Sequence, residues 1–279
     1  MKVQALRTKL VQPHDDLFSV ITAAIEQHAQ GVLPDKSVLL ITSKIISYCQ
    51  GSLVKKESGL SKEAEREEKH ALVRQEADWY LPSAYSQYDM MLTIKDHTLG
   101  INAGIDESNA QLTDSAGKTF PAYVLWPRKL QETIDELWQK LREKYQIQNL
   151  GIIVTDSHSF PLRWGVVGVS LATCGFEALN SCIGDQDLFG REIKMVHVNV
   201  AEALAVAGTL EMGEVAERCP LALIQECPQV RFLERLSTAA EKEKLFINRE
   251  DDVYGPLLNS VTWEKGGSGQ AITTEKEQA

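Results

Sequence analysis

Apolar residues recur along the chain with two spacings, every second residue or every third to fourth, and the places where one gives way to the other predict its elements. Leu17, Val20, Ile21, Ala24 and Ile25 follow helical spacing behind Asp15 and Asp16, either of which can cap a helix. Residues 37–42 are a short apolar run behind Pro34 and Asp35 and read as a strand. Residues 58–77 are dense in Glu and Lys and read as a solvated surface helix that ends before Pro82. Met90, Leu92 and Ile94 alternate with polar neighbours, Lys95, Asp96 and His97 make a turn, and Leu99 and Ile101 resume the alternation, which is the pattern of a hairpin. Behind Pro127 comes the clearest helix, with Leu130, Ile134, Leu137, Trp138, Leu141 and Tyr145 on one face. Residues 150–154 read as a buried strand that delivers Thr155, Asp156 and Ser157 at its end. A strand over 193–200 leads into an Ala-rich helix over 201–210 that stops at Met212 and Gly213, and residues 221–225 are a last short strand.

These elements do not repeat as regular βαβ units, so the expected class is α+β, with mixed sheets, a hairpin and flanking helices. One folded unit is expected over 1–264, with room for two lobes, followed by a disordered tail over 265–279 that begins with a Gly/Ser-rich stretch. With 43% hydrophobic and 24% charged residues the chain has ordinary globular composition. Its five cysteines are odd in number and form no CxxC pair, which argues against a disulfide framework or zinc knuckle and for a reducing compartment, the cytoplasm. Neither a signal peptide nor a membrane span is expected, because no apolar stretch is long enough and uninterrupted. Asp and Glu outnumber Lys and Arg by 39 to 29, a net charge of -10 that opposes binding to nucleic acid.

Two acidic residues stand where strands end in polar loops, Asp106 and Asp156. Hard cations such as Mg²⁺ and Mn²⁺ take one or two protein carboxylates and fill their remaining positions with water and substrate phosphates, and two such loops would suffice. The commoner role for an Asp in such a place is to cap a turn. No Walker-type or GxGxxG cradle exists. In the polar loop over 42–51, Ser43, Ser47 and backbone N–H groups could meet a phosphate and Lys44 could neutralise it, although such loops are more often structural. His158 stands near Asp156, but no HxH or HxxxH pair appears, so it is taken as a bystander. Cys174 and Cys182, in apolar surroundings, read as buried and unreactive. The dense polar stretch 185–192 reads as a tight connection with Gly190 at positive φ, and Met212, Gly213 and Glu214 read first as a helix terminus and second as a ligand loop.

Taken in order, Thr-Ser-Lys-Ile-Ile-Ser at 42–47, Asn-Ala-Gly-Ile-Asp-Glu-Ser-Asn at 102–109, Thr-Asp-Ser at 155–157, Asp-Leu-Phe-Gly-Arg-Glu at 187–192 and Met-Gly at 212–213 resemble the coenzyme F-420 gamma-glutamyl ligase family. The likeness runs from about Val3 to about Leu258. It implies a GTP-dependent, Mg²⁺- or Mn²⁺-requiring ligase that joins a small-molecule carboxylate to the amine of L-glutamate, on an α+β fold assembled as an intertwined homodimer. By the same resemblance Asp106, Asp156 and Ser157 would hold metal, Asn109 would contact the nucleotide, and Leu210, Met212, Gly213 and Glu214 would face its phosphates, joined there by Ser43, Lys44 and Ser47. The chain departs from the family pattern in four places. Tyr48 stands where a Lys is usual, Ser157 replaces a Thr, and residues 158–161 replace a Gly-Arg turn, leaving Arg163 as the nearby guanidinium for substrate. The stretch 7–12 is shorter than the family's nucleotide loop. These changes point to a divergent branch with its own acceptor, such as a pterin- or folate-related acid. Two other functions stay open at this stage: a nucleotide- and metal-binding regulatory protein without catalysis, and a metal-dependent phosphohydrolase.

Overall fold

The computed structural model describes residues 1–85, 87–114 and 116–270. Its elements, in chain order, begin with β1 (Lys2–Leu6), α1 (Leu17–His28), β2 (Ser37–Thr42), α2 (Ser43–Gln50) and β3 (Leu53–Lys55). They continue with α3 (Lys62–Glu76), β4 (Trp79–Tyr80), β5 (Leu92–Lys95), β6 (Thr98–Ile101), β7 (Gln111–Thr113) and β8 (Thr119–Val124). Then come α4 (Leu130–Tyr145), β9 (Leu150–His158), β10 (Val167–Cys174), β11 (Leu179–Ser181), β12 (His197–Asn199), α5 (Val200–Met212) and β13 (Leu221–Gln225). Two short helices, α6 (Ala239–Glu243) and α7 (Gly255–Leu258), and a short strand, β14 (Glu264–Lys265), end the described chain. The class is α+β, as expected. No helix among the described residues is long and apolar enough to cross a membrane.

The chain divides into two compact units. The first comprises residues 1–52 and 127–247 and the second residues 53–126 and 248–279. In the first unit five strands lie in the order β1-β13-β2-β9-β10. Only β2 and β9 run parallel, and the other pairs are antiparallel. Val38, Leu40, Ile153, Ala222 and Ile224 form one core with Val200, Ala201, Leu204, Ala205 and Met212 of α5. Strand alternation turns the equally buried Leu39, Ile41, Ile152 and Val154 to the opposite face of the sheet. There α4 buries the predicted stripe Leu130, Ile134, Leu137, Trp138 and Leu141, and Trp138 Nε1 donates to Leu150 O at 2.7 Å. Asp16, not Asp15, caps α1, accepting from Ser19 N at 2.8 Å. A separate two-stranded ribbon, β11 with β12, carries the connection over 182–196.

The second unit holds two antiparallel sheets, β14-β4-β5-β6 and β3-β8-β7. The predicted hairpin is β5 and β6, turning at Asp96 and His97, both at positive φ. Val73 of α3 joins Met91, Ile105, Tyr123 and Leu125 in the core, so the charged helix is half solvated and half packed.

Four expectations need correction. Residues 43–50, read as a loop, are helix α2, because Ile45, Ile46 and Tyr48 bury one face of a short turn run. β9 does not stop at Val154 but runs to His158, since β10 pairs with it that far, so Asp156 lies within a strand. The strand expected over 193–200 is confined to His197–Asn199; its apolar alternation has no core to face, and Met195 and Val196 are exposed. The tail is ordered over 265–270: Lys265 pairs with Trp79, and backbone N–H groups of residues 266, 267, 268 and 269 donate to Asp78, Arg74, Ala77 and Gln75 carbonyls. Those bonds satisfy carbonyls that the end of α3 leaves open, and a Cβ on Gly266 would sit 2.1 Å from Ala77 O. Residues 271–279, the rest of that expected tail, lie outside the described residues.

Candidate functional site

The parallel pairing of β2 and β9 sets Thr42, the last residue of β2, opposite Thr155, beyond which β9 runs on through Asp156 and Ser157 to His158. Ligands of open sheets collect outside such carboxyl ends. Immediately after Thr42 the chain enters α2, whose first N–H groups have no intrahelical acceptor and carry the positive end of the helix dipole. Ser43 and Ser47 are buried in this helix and Lys44 is half-buried. Thr42 N donates to Pro220 O at 3.0 Å, and Thr8 and Arg218 exchange bonds through Thr8 N to Arg218 O and Arg218 Nη2 to Thr8 O. The connection over 213–220 therefore lies at the same end of the sheet.

Beside α2, β9 carries Asp156, half-buried, and Ser157, exposed. Ser157 Oγ donates to Glu214 Oε2 at 2.7 Å, and Asp156 Oδ1 accepts from Ser157 N at 3.0 Å. Glu214 follows Gly213, which closes α5 at φ 79° with its N–H on Thr209 O. Glu217 then folds back to accept from Val215 N at 2.9 Å, and its own and neighbouring backbone N–H groups hold its carboxyl below the usual range. Two carboxylates and a hydroxyl are hard oxygen donors. Among the described residues no three His, Cys, Asp or Glu side chains gather into a cage of protein ligands alone. Such a set suits Mg²⁺ or Mn²⁺, which take their other ligands from water and phosphate.

The remaining predicted residues of this unit differ in what they present. Leu210 is exposed on the last turn of α5, whereas the Met212 side chain belongs to the core and leaves only backbone for a ligand to meet. Arg163 lies on the exposed connection 159–166 and donates to the adjacent Leu162 O. His158 is half-buried, with its ring edge-on to Phe160 at 5.5 Å, and burial pushes its pKa below the ordinary value, which favours the neutral ring. Residues 185–192 form the expected tight turn: Asp187 accepts from Phe189 N and Arg191 N, with Gly190 at φ 79°. Cys174 is buried, and burial pushes its thiol up, which makes it unreactive.

Asp106 and Asn109 stand in the second unit. Ahead of Asp106 the backbone makes a left-handed turn, with φ of 52° at Asn102, 50° at Ala103 and 70° at Gly104. For Asn102 and Ala103 this conformation is costly. It is held by Asn102 Oδ1, which accepts from Met91 N at 2.9 Å, and by Thr93 Oγ1, which accepts from Ala103 N at 2.8 Å. Asp106 then exchanges backbone bonds with Val124, and its carboxylate accepts from Ser108 N at 2.7 Å and from Ser108 Oγ at 3.0 Å, the turn-capping role. Next to it Glu107 accepts from Lys56 and Lys69, each at 2.5 Å; burial would raise its pKa, and the two ammonium groups outweigh burial and lower it.

One group of residues went unnoticed in the sequence. The hydroxyls of Thr155, Ser170 and Thr209 are buried without a hydrogen-bond partner. The signal was available, as each is a hydroxyl inside an apolar run that the strand or helix pattern turns toward α5 or the sheet.

Comparison with known proteins places the chain among ligases that join glutamate. A model of the F420-0:Gamma-glutamyl ligase family matches residues 5–226, and the chain belongs to that family. It is similar to the coenzyme F420:L-glutamate ligase of Methanopyrus kandleri, 32% identical over 226 residues that cover 77% of this chain and 82% of that one. The protein of the same name from Methanothermobacter thermautotrophicus is 29% identical over 232 residues, 78% of this chain and 86% of the other. That from Methanocaldococcus jannaschii is 32% identical over 124 residues, 44% of this chain and 46% of the other.

Proposed function

We propose that this protein is a GTP-using, divalent-metal-dependent ligase that joins L-glutamate to a small-molecule carboxylate through an acyl phosphate. The observation that carries this is the register of Thr42 with Thr155, which sets the N-terminus of α2 beside Asp156, Ser157 and Glu214. A helix N-terminus with two hydroxyls and a lysine suits the phosphates of a nucleotide. Asp156 and Ser157, with Glu214 on the serine, are the groups that would hold a divalent cation in the first unit. Asp106, by its Asn-Ala-Gly-Ile-Asp motif, is assigned the same task in the second, and Asn109 and backbone groups at 210–214 a nucleotide contact. A cation so held would neutralise phosphate charge during transfer.

A carboxylate at neutral pH resists attack by an amine. Transfer of the γ-phosphoryl group to its oxygen makes the carbonyl electrophilic, the glutamate amine then adds to that carbon, and the bond to phosphate breaks. Exclusion of water protects the acyl phosphate meanwhile. Arg163 would meet the acceptor, and the names of the relatives make coenzyme F420 the first acceptor to try. The free cysteines fit a cytoplasmic enzyme. Homodimerisation is part of the proposal, and the exposed apolar ribbon supports it.

Calorimetry with GTP and ATP, with and without Mn²⁺ or Mg²⁺, tests the site. GTP binding is expected to need metal and to weaken at least about tenfold in Asp156→Asn and, separately, in Asp106→Asn, the cost of one charged contact. Binding without turnover would mark the protein as a regulatory homologue, and phosphate release that needs no glutamate would mark a phosphohydrolase. No nucleotide binding at all would mean that Tyr48, 8% exposed where the family has a lysine, goes with a dismantled site.

A further inference from the structure

Glu107 is the middle residue of the turn that aims Asp106. Asp106 Oδ1 accepts from Ser108 N at 2.7 Å and its Oδ2 from Ser108 Oγ at 3.0 Å, so both oxygens are oriented by the residue two places on. Any movement of the residue between them turns that carboxylate. Glu107 is gripped from two sides: Lys69 Nζ donates to its Oε1 and Lys56 Nζ to its Oε2, each at 2.5 Å. One ammonium on each oxygen fixes the plane of a carboxylate as well as its place, and bonds between charged groups are the stronger kind. Burial works to raise the Glu107 pKa, yet the two ammonium groups together bring it below the ordinary value.

The lysines are held in turn by elements outside the turn. Lys69 stands on α3 beside Glu68, which accepts from Tyr123 Oη and, through its other oxygen, from Glu57 N, both at 3.0 Å. Lys56 follows β3; its N donates to Pro121 O at 3.0 Å, and its ammonium lies 5.0 Å from the centre of the Tyr123 ring. Tyr123 is a buried core side chain of β8. Lys56, Lys69 and Glu107 are each half-buried, so solvent and salt screen these pairs less than they screen exposed ones. All of these residues belong to the second unit. The Asp106 turn is therefore braced by charge against α3, β3 and β8, whereas an Asp that only caps a turn needs no more than its own bonds to Ser108.

We propose that Glu107 is a positioning residue for the divalent cation: held by Lys56 and Lys69, it sets the direction of the Asp106 carboxylate, and the charged helix α3 serves the site through Lys69. The proposal rests on the assignment of Asp106 to metal above. Glu107 acts through Asp106, and with both of its oxygens taken by lysines it is kept off the cation itself. Partners that orient metal ligands in this way are worth roughly ten- to a hundredfold in metal affinity.

The test titrates GTP calorimetrically into the whole protein at a series of Mn²⁺ concentrations, which reads affinity and the number of sites separately. Glu107→Gln and Lys69→Met are each expected to raise the Mn²⁺ needed for GTP binding about tenfold with the number of sites unchanged. The double variant should lose no more than either single one, because both remove the same contact, and Lys69→Arg should stay near wild type. A purely electrostatic influence on the anionic nucleotide has opposite signs: removing the Glu107 charge would tighten GTP binding and removing the Lys69 charge would weaken it. A merely structural role would lower the number of competent sites and leave the metal requirement of the rest unchanged. Either of those results, or additive losses in the double variant, overturns the proposal. Lys69→Met against Lys69→Arg decides alone if Glu107→Gln does not fold. Asp106→Asn is the reference: if it weakens binding and Glu107→Gln does not, the positioning role falls and the metal site stands. If Asp106→Asn binds as wild type does, or wild type binds no GTP with Mn²⁺, the reading of the site falls and this proposal with it.

Discussion

Glu202 is pulled two ways, toward its proton by burial and away from it by the Ser170 N–H, and burial wins. A carboxyl whose pKa is raised in the folded state keeps a proton that the unfolded chain has released. The folded state then binds more protons, so stability falls as pH rises past the ordinary glutamate value of about 4.3. Below that value both states are protonated and the penalty is absent. Glu202→Gln is therefore expected to raise the urea midpoint at pH 7 relative to wild type and to leave it unchanged near pH 4; an equal shift at both would assign the change to packing. At Gly168 the limit is space. An alanine there would meet Thr209 Oγ1 and Ala205 O, at 2.2 and 2.4 Å, and overpacking of this kind costs about 1–3 kcal/mol. Denaturant unfolding of Gly168→Ala checks it. The sequence announces Asp106, Asp156 and Glu214 as acidic residues beside strand or helix ends, but not the buried hydroxyls of Thr155, Ser170 and Thr209, because a single hydroxyl in an apolar run is unremarkable until its neighbours across the sheet are known.

Elements whose apolar period is matched by one partner surface were legible. The bounds of β2, α4 and β13 come directly from spacing, since each has a full face to bury. Elements that depend on a distant partner were not. α2 is short and rich in Ser, and only its burial against the sheet makes it helical; the polar end of β9 is strand because β10 supplies a ladder for it. The Gly/Ser stretch after β14 has linker composition, yet the missing Cβ atoms of Gly266 and Gly267 are what let four consecutive N–H groups reach the carbonyls at the end of α3. Removing residues 265–279 should expose those carbonyls and take from Lys95 its bond to Ser268 O. At about 0.5–1.5 kcal/mol for each bond lost, the truncated protein is expected to be less stable by about 2 kcal/mol or more. Hydrogen exchange should show the last turn of α3 losing protection first; unchanged protection there would mean the strap only decorates the helix. In α4, Trp138→Ala removes a ring that donates to Leu150 O and carries the Arg142 guanidinium at 4.2 Å, an expected cost of about 3–5 kcal/mol by thermal or urea unfolding.

The scale of the whole molecule brings in the ribbon. A chain with net charge -10 keeps copies apart by repulsion, and its surface should be polar. The connection between β11 and β12 contradicts that expectation, with Leu188 at 99%, Met195 at 86% and Phe189 at 83% of full exposure and Ile183, Val196 and Val198 also in solvent. Exposed apolar residues concentrated on one extended arm mark a contact surface, and an arm that packs on a partner in place of its own unit is how intertwined dimers form. A stable contact buries roughly 800 Å² on each partner, which requires several of these side chains to be covered at once. Light scattering is therefore expected to give a dimer across micromolar concentrations. Leu188→Asp with Met195→Asp should dissociate it, because a charge placed in an apolar contact must be desolvated without a partner. Dissociation should not require high salt, since apolar burial and not ion pairing would hold the copies. A wild-type monomer throughout that range would remove the dimer from the proposal and leave the ribbon as an exposed arm of a monomer.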